Sequence, residues 1–329
     1  MEQKVLRVCT WVIVCALGIR LLAGVNFGHA LQFALSPEMA GWMVFLQTGR
    51  VIRPGLEIDS IPETQPETQP PESTEPMQPD LPVFSPDSAD SIVISSSFAF
   101  TADLPSLISQ TLDWDLTKNG PKVLIVHTHG SESYSPATDY IQTSPYHTLD
   151  TNQNMISVGA YLAKKLEAAG ISVLHDTGIH DEPSYNAAYN NSRKSIQWYL
   201  ETYPTIELVL DLHRDAYEDA YGNQGAQTVF SNGSAIAPLM FVVGTNYSGL
   251  EHPQWQENLS LALKLQSQLE EFCPGICRNL NLRTQRYNQD LSQGSLLVEI
   301  GSSGNTRQEA LGAADMLARA IIYLAKGSR

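Results

Sequence analysis

Basic residues are scarce in this chain. Only 20 Lys and Arg stand against 35 Asp and Glu, giving a formal net charge of −15. That balance argues against a nucleic-acid partner, because phosphate binding needs a basic face. The imbalance is local: residues 57–90 hold nine acidic residues and no Lys or Arg, so acidity says little about the rest. Cysteine is scarcer, with four in 329 residues. Cys9 and Cys15 sit in the apolar N-terminus, as small apolar residues or lipidation sites. Cys273 and Cys277 could form a disulfide in an oxidising compartment, but with no second pair they cannot complete an all-cysteine zinc site. There is also no uninterrupted apolar run of the ~20 residues that span a bilayer, and no internal repeat.

What the chain does have begins with an imperfect membrane segment. Residues 8–19 are apolar, Arg20 interrupts, and 21–35 are again mostly apolar. A helix through this region must let Arg20 snorkel or find a partner. A cleaved signal peptide is the rival, but no clear cleavage site leads into a polar start. Residues 1–53 are therefore expected to form a retained anchor and juxtamembrane segment. Lys4 and Arg7 place its start in the cytoplasm and the remainder outside. Residues 54–92 include ETQPETQPPESTEPMQPD. With almost nothing apolar to bury, they read as an acidic, Pro-rich linker, extended by proline and by charge repulsion. Residues 93–120 alternate weakly and are expected to lie as a lead-in against the main domain.

From 121 to 329 the pattern is α/β. Apolar strands are expected at 123–126, 171–174, 206–212, 241–244 and 296–300. Helices are expected at 154–169, 185–203, 258–272 and 308–325. Strands separated by helices of this length predict a mostly parallel sheet with helices on both faces.

Chemistry-bearing residues gather where three of the strands end. VLIV runs into His127, His129 and Glu132; LVLDL runs into His213, Arg214 and Asp215; SLLV runs into Glu299. In a parallel sheet these ends share one edge, where open α/β folds place ligands. Two imidazoles, one carboxylate and a position left for water describe a catalytic zinc site. We assign His129, Glu132 and His213 as the metal ligands and Glu299 as the general base for the attacking water. Strand alternation sends His127 and His129 to the same face, so the pattern leaves that choice open; His129 is preferred because it is nearer the loop and Glu132. Each residue also has a plainer reading. His127 could be a hydrogen-bonded structural residue, Glu132 an acid at a helix start, and His213 a partner of Asp211 or Asp215. A carboxylate ending an apolar strand, as Glu299 does, is costly unless it is paired or functional.

A second polar cluster, HDTGIHDEPSYNAAYNNS, offers Asp181, Tyr185, Asn186 and Arg193 for a polar substrate, or else a solvated loop with a helix cap. Among Arg214, Arg283 and Arg286, one arginine could hold a substrate carboxylate in bidentate fashion. Arg214 and Arg286 are the assigned candidates.

The motifs VLIVHTHGSESYSP, HDEPSYNAAYNNS, LDLHRDA and RYNQDLSQGSLLVEIGSSGNT occur in this order over about 200 residues from Pro121. In them the chain resembles the stage II sporulation protein P family of spore-forming Firmicutes. The resemblance implies an N-acetylmuramoyl-L-alanine amidase-like fold and zinc-dependent peptidoglycan hydrolysis that removes stem peptides, with endopeptidase action on cross-links also attributed to the family. It further implies a place in the engulfment machinery beside stage II sporulation proteins D and M. Carried over by residue, it places the metal on His129, Glu132 and His213, and catalysis on Glu299. The Arg-interrupted anchor departs from the family's pattern and leaves the mode of membrane attachment open. The rival from another class is a non-catalytic peptidoglycan-binding subunit that recruits a lytic transglycosylase.

Overall fold

The computed structural model describes residues 81–136, 146–217, 224–231 and 233–329. The expected anchor, and the expected linker up to residue 80, lie outside the described residues. Among the described residues, no helix is long and apolar enough to cross a membrane.

The strands are β1 (Ile94–Ser96), β2 (Val123–Val126), β3 (Val173–His175), β4 (Leu208–Asp215), β5 (Val229–Ser231), β6 (Ser234–Ile236), β7 (Leu239–Gly244), β8 (Leu280–Arg283) and β9 (Ser295–Ser302). Seven form one sheet in the order β1-β8-β7-β9-β4-β2-β3, while β5 and β6 make a small antiparallel ribbon. Within the seven-stranded sheet the pairings are parallel, except that β7 runs antiparallel to β9. The fold is thus mixed α/β with a mostly parallel sheet. The helices are α1 (Leu104–Ser109), α2 (Met155–Ala168), α3 (Ala188–Thr202), α4 (Trp255–Phe272) and α5 (Arg307–Tyr323). Their starts follow local chemistry. The Asn154 side chain accepts the Ile156 N–H to cap α2, and Thr306 and Glu309 form a reciprocal capping box on α5.

Helices lie on both sides of the sheet, but unevenly. Alternate residues Ile125, Leu210, Phe241, Leu282 and Val298 join one large core with α1, α2, α4 and α5. On the opposite face, α3 covers only Leu124, Val126 and Val209. Farther along that face Met240, Val242 and Leu297 form a small separate cluster against Tyr287, to which no helix contributes. Because side chains alternate along a strand, Asp211 and His213 of β4 and Glu299 of β9 share this thinly covered face. The site therefore lies on a sheet face as well as at the strand ends.

The expected linker boundary falls too late. Phe84, Ala89 and Ile92 are buried core residues, and a short 3-10 turn over Pro86–Ala89 leads into them. The next segment continues inward, with β1 adding an edge strand beside β8 and Leu107, Ile108 and Leu116 buried. Lys264 of α4, itself buried, fixes this segment by donating to the Leu107 carbonyl at 3.2 Å. Phe84→Ala should therefore lower stability by about 3 kcal/mol or more, the usual scale for truncating a buried aromatic. Thermal or denaturant unfolding checks this, and an unchanged midpoint would mean that the segment does not belong to the core.

Candidate active site

A cleft of about 710 Å³ opens on the thinly covered face, and His129, Glu132, His213 and Glu299 all line it. His129 and Glu132 come from the turn after β2. That turn is held in place by the Met155 N–H, which donates to the Glu132 carbonyl at 2.9 Å. Asp181 accepts the Ser131 hydroxyl at 2.5 Å and the Ser131 N–H at 3.3 Å. His213 and Glu299 are register partners on adjacent strands.

One ligand atom from each of His129, Glu132 and His213 lies within 4.8 Å of the others. His129 Nδ1 is 3.5 Å from Glu132 Oε1, and His213 Nδ1 is 3.5 Å from Glu132 Oε2. The three groups thus converge at separations longer than ordinary hydrogen bonds. On the far side of its ring, His213 Nε2 lies 3.0 Å from Asp211 Oδ1, an ion-pair contact without the alignment of a hydrogen bond. Asp211 is fixed in turn by the Thr128 N–H at 2.8 Å and the Thr128 hydroxyl at 2.6 Å. A carboxylate this close to one ring nitrogen favours the proton on that side, which leaves the other nitrogen to ligate. The donor set suits a borderline divalent ion: two imidazoles, one carboxylate and an acidic surround.

The charges agree with that fit. Burial alone would raise the Glu132 carboxyl, but His129, His213 and Arg214 around it hold it well below the usual carboxylate range. Burial opposes charging His213, yet Asp211 and Glu132 keep its pKa well above that of an ordinary histidine. Glu299 is pushed up to about 8 by burial, with Glu132 and Asp215 reinforcing and His213 opposing. Its buried Oε2 has no hydrogen-bond partner among the described residues.

The structure separates the two neighbouring histidines. His127 faces the α2 side, with Nδ1 donating to the Leu212 carbonyl at 3.2 Å and Nε2 2.9 Å from His175 Nε2. Burial, and then His175, push His127 down to about 3. Gly159 gives it room, because a Cβ there would meet both imidazoles. His129 lies beyond the end of β2, in a turn where strand alternation no longer applies.

The expected substrate residues divide. Tyr185 lines the cleft and stacks on His129 with ring centroids 4.2 Å apart. Arg214 also lines it, but its guanidinium is committed to the Ser133 carbonyl at 2.9 Å and the Tyr146 carbonyl at 2.6 Å, and its N–H donates to Glu132 at 3.2 Å. Three others are absent from the cleft wall. Asp181 is buried beneath Ser131, and Asn186 is exposed. Arg286 is tied to Asp290 and the Glu251 carbonyl, each at 3.2 Å. Arg193 likewise pairs with Asp290, at 2.7 Å. Cys273 and Cys277 carry free thiols.

The sequence reading missed His147, Tyr146 and Tyr189 on the cleft wall. It also gave no role to Tyr287, which lies there too. Tyr146 and Tyr287 have φ of 60° and 52°, a left-handed conformation that bulky residues adopt mainly where the surroundings enforce it. No sequence pattern announces that conformation.

The stage II sporulation protein P of Bacillus subtilis (strain 168) is 28% identical over 207 residues, covering 60% of this chain and 49% of that protein. The matched part of the chain thus spans about half the length of that curated relative. Among solved structures, an N-acetylmuramoyl-L-alanine amidase of Nostoc punctiforme gives a TM-score of 0.38 at 12% identity, covering 62% of this chain and 97% of that one. The corresponding enzyme of Clostridium difficile 630 gives 0.35 at 15%, covering 62% and 94%. Those structural likenesses are too distant to bear on activity. The model of the family described as Stage II sporulation protein P (SpoIIP) matches residues 56–322, most of the sequence, and the chain belongs to that family.

Proposed function

We propose that this protein is a zinc-dependent peptidoglycan hydrolase that cuts the amide between N-acetylmuramic acid and the L-alanine of the stem peptide. The observation that carries the reading is the convergence of His129, Glu132 and His213 in the same cleft as Glu299. Family membership supports a sporulation setting. There the N-terminal segment would anchor the domain outside the membrane, beside stage II sporulation proteins D and M. Endopeptidase action on cross-links is a second activity of the same site.

His129, Glu132 and His213 would hold the ion, which when bound supplies a Lewis acid for the amide carbonyl and lowers the pKa of water. Beside a divalent cation, Glu299 would favour its ionised form over the protonated one that burial and Glu132 favour. As a carboxylate it would take the proton from the attacking water and return it to the leaving nitrogen. Its unpartnered Oε2 is available for that exchange. Asp211 fixes His213, and the Arg214 N–H fixes Glu132, so the ligands keep their orientation while the base turns over. Tyr185, stacked on His129, limits water access from one side.

Chelation tests the metal dependence. Release of soluble fragments from dye-labelled sacculi should cease after exhaustive chelation and return on adding zinc. Undiminished release from protein shown to be metal-free would contradict the reading.

A further inference from the structure

Three arginines line the cleft: Arg214, Arg278 and Arg283. Arg214 is buried and spent on backbone carbonyls. Arg278 donates to Asp215 at 2.6 Å. Arg283 is different. It is exposed at the end of β8, and among the described residues no carboxylate pairs with it and its guanidinium makes no hydrogen bond. It stands on the same thinly covered face as Glu299, since its register partner is Gly244 of β7 and the residue two earlier, Asn281, pairs with Val242.

We infer that Arg283 is a specificity residue that binds a carboxylate carried by the substrate peptide, a few residues from the bond that is cut. The inference rests on the hydrolase reading above. A guanidinium prefers planar, bidentate contact with carboxylate, and among the described residues Arg283 is the cleft arginine whose fork is uncommitted.

Strand geometry sets the spacing. Glu299 is opposite Met240 of β7, and Arg283 is opposite Gly244. Neighbouring strands lie about 4.8 Å apart, so two strands separate the backbones by about 10 Å across the sheet. The offset from position 240 to 244 adds about 13 Å along it, at roughly 3.3 Å per residue. Both side chains stand off the same face, and the length of the arginine side chain can cover part of that distance. An extended peptide also advances about 3.3 Å per residue, so the recognised carboxylate belongs roughly two to four residues beyond the scissile amide.

The test uses the full-length zinc-loaded protein and synthetic N-acetylmuramoyl peptides of two, three and four residues. Each is supplied as the C-terminal free acid and as the carboxamide. At the matching length, kcat/KM for the acid should exceed that for the amide by about tenfold or more, the scale of a hydrogen bond between charged groups. In Arg283→Ala the ratio should fall to near one, through KM for the acid, and Arg283→Lys should recover part of it. Because Arg283 is exposed, these variants should unfold at the wild-type temperature. Equal rates on acid and amide at every length would overturn the inference, as would a preference that survives in Arg283→Ala. Failure to cut these substrates by protein that still digests sacculi would overturn this inference alone, whereas failure on both sinks the hydrolase reading and this inference with it.

Discussion

Glu299→Gln should cut turnover by at least about two orders of magnitude, since general acid–base assistance contributes roughly 10² to 10⁴. The substitution keeps size and polarity but removes the proton acceptor. Glu299 stands on β9 directly beside His213, yet it is not among the three residues whose ligand atoms converge. Zinc content should therefore stay near wild type. Folding should change little, because Glu299 Oε2 makes no hydrogen bond that the amide would lose. Turnover on sacculi, metal analysis and thermal unfolding together read the outcome. If zinc disappears with activity, Glu299 is a ligand and Glu132 becomes the candidate base. If activity survives, the base lies elsewhere, and Asp215, which also lines the cleft, is the next carboxylate to test.

His213→Ala should lose nearly all bound zinc, and activity with it. His213 is buried between Glu132 on one side of its ring and Asp211 on the other. Removing it deletes one of the three proposed ligands and leaves Asp211 facing a void. Loss of one partner from a buried charged set is costly, so the variant should also unfold at a lower temperature. His127→Ala makes the comparison informative. His127 faces His175 and the Leu212 carbonyl, so that variant should lose stability and keep zinc binding. Full zinc occupancy in His213→Ala would remove the metal assignment.

Much of this site was readable because its strands are long apolar runs that end in polar residues. β2, β4 and β9 announce themselves as VLIV, LVLDL and SLLV; β4 and β9 carry His213 and Glu299 next to the last apolar residue, and β2 leads into the turn that carries His129 and Glu132. β8 was not readable: Leu-Asn-Leu-Arg is short and half polar, and only pairing with β7 and β1 makes it a strand. The antiparallel turn of β7 against β9 is a matter of topology, on which local periodicity is silent. The uneven helix cover, which turns part of one face into a cleft, is equally long-range. Arg283 and Arg286 show the limit at single-residue scale. Three positions apart in one polar stretch, they are equivalent as text. The turn after β8 sends Arg286 to Asp290 and leaves Arg283 at the strand end in the cleft. Asp181 is hidden for a related reason: buried under Ser131, it orders the turn that carries His129 and Glu132 and is absent from the cleft wall. The start of the packed domain was misjudged because Phe84 and Ile92 are isolated apolar residues beside acidic, Pro-rich sequence.

The bond that is cut is the central claim, and mass spectrometry of digested peptidoglycan addresses it most directly. Purified sacculi treated with residues 77–329, the compact unit that holds the whole sheet, should release intact stem peptides with a free L-alanine amino group. Glycan strands without peptides should appear beside them, and both products should vanish with chelator. Fragments cut only within cross-links would make the protein an endopeptidase. Protein that binds sacculi, carries zinc and releases no peptide would contradict the account and make the chain a peptidoglycan-binding subunit.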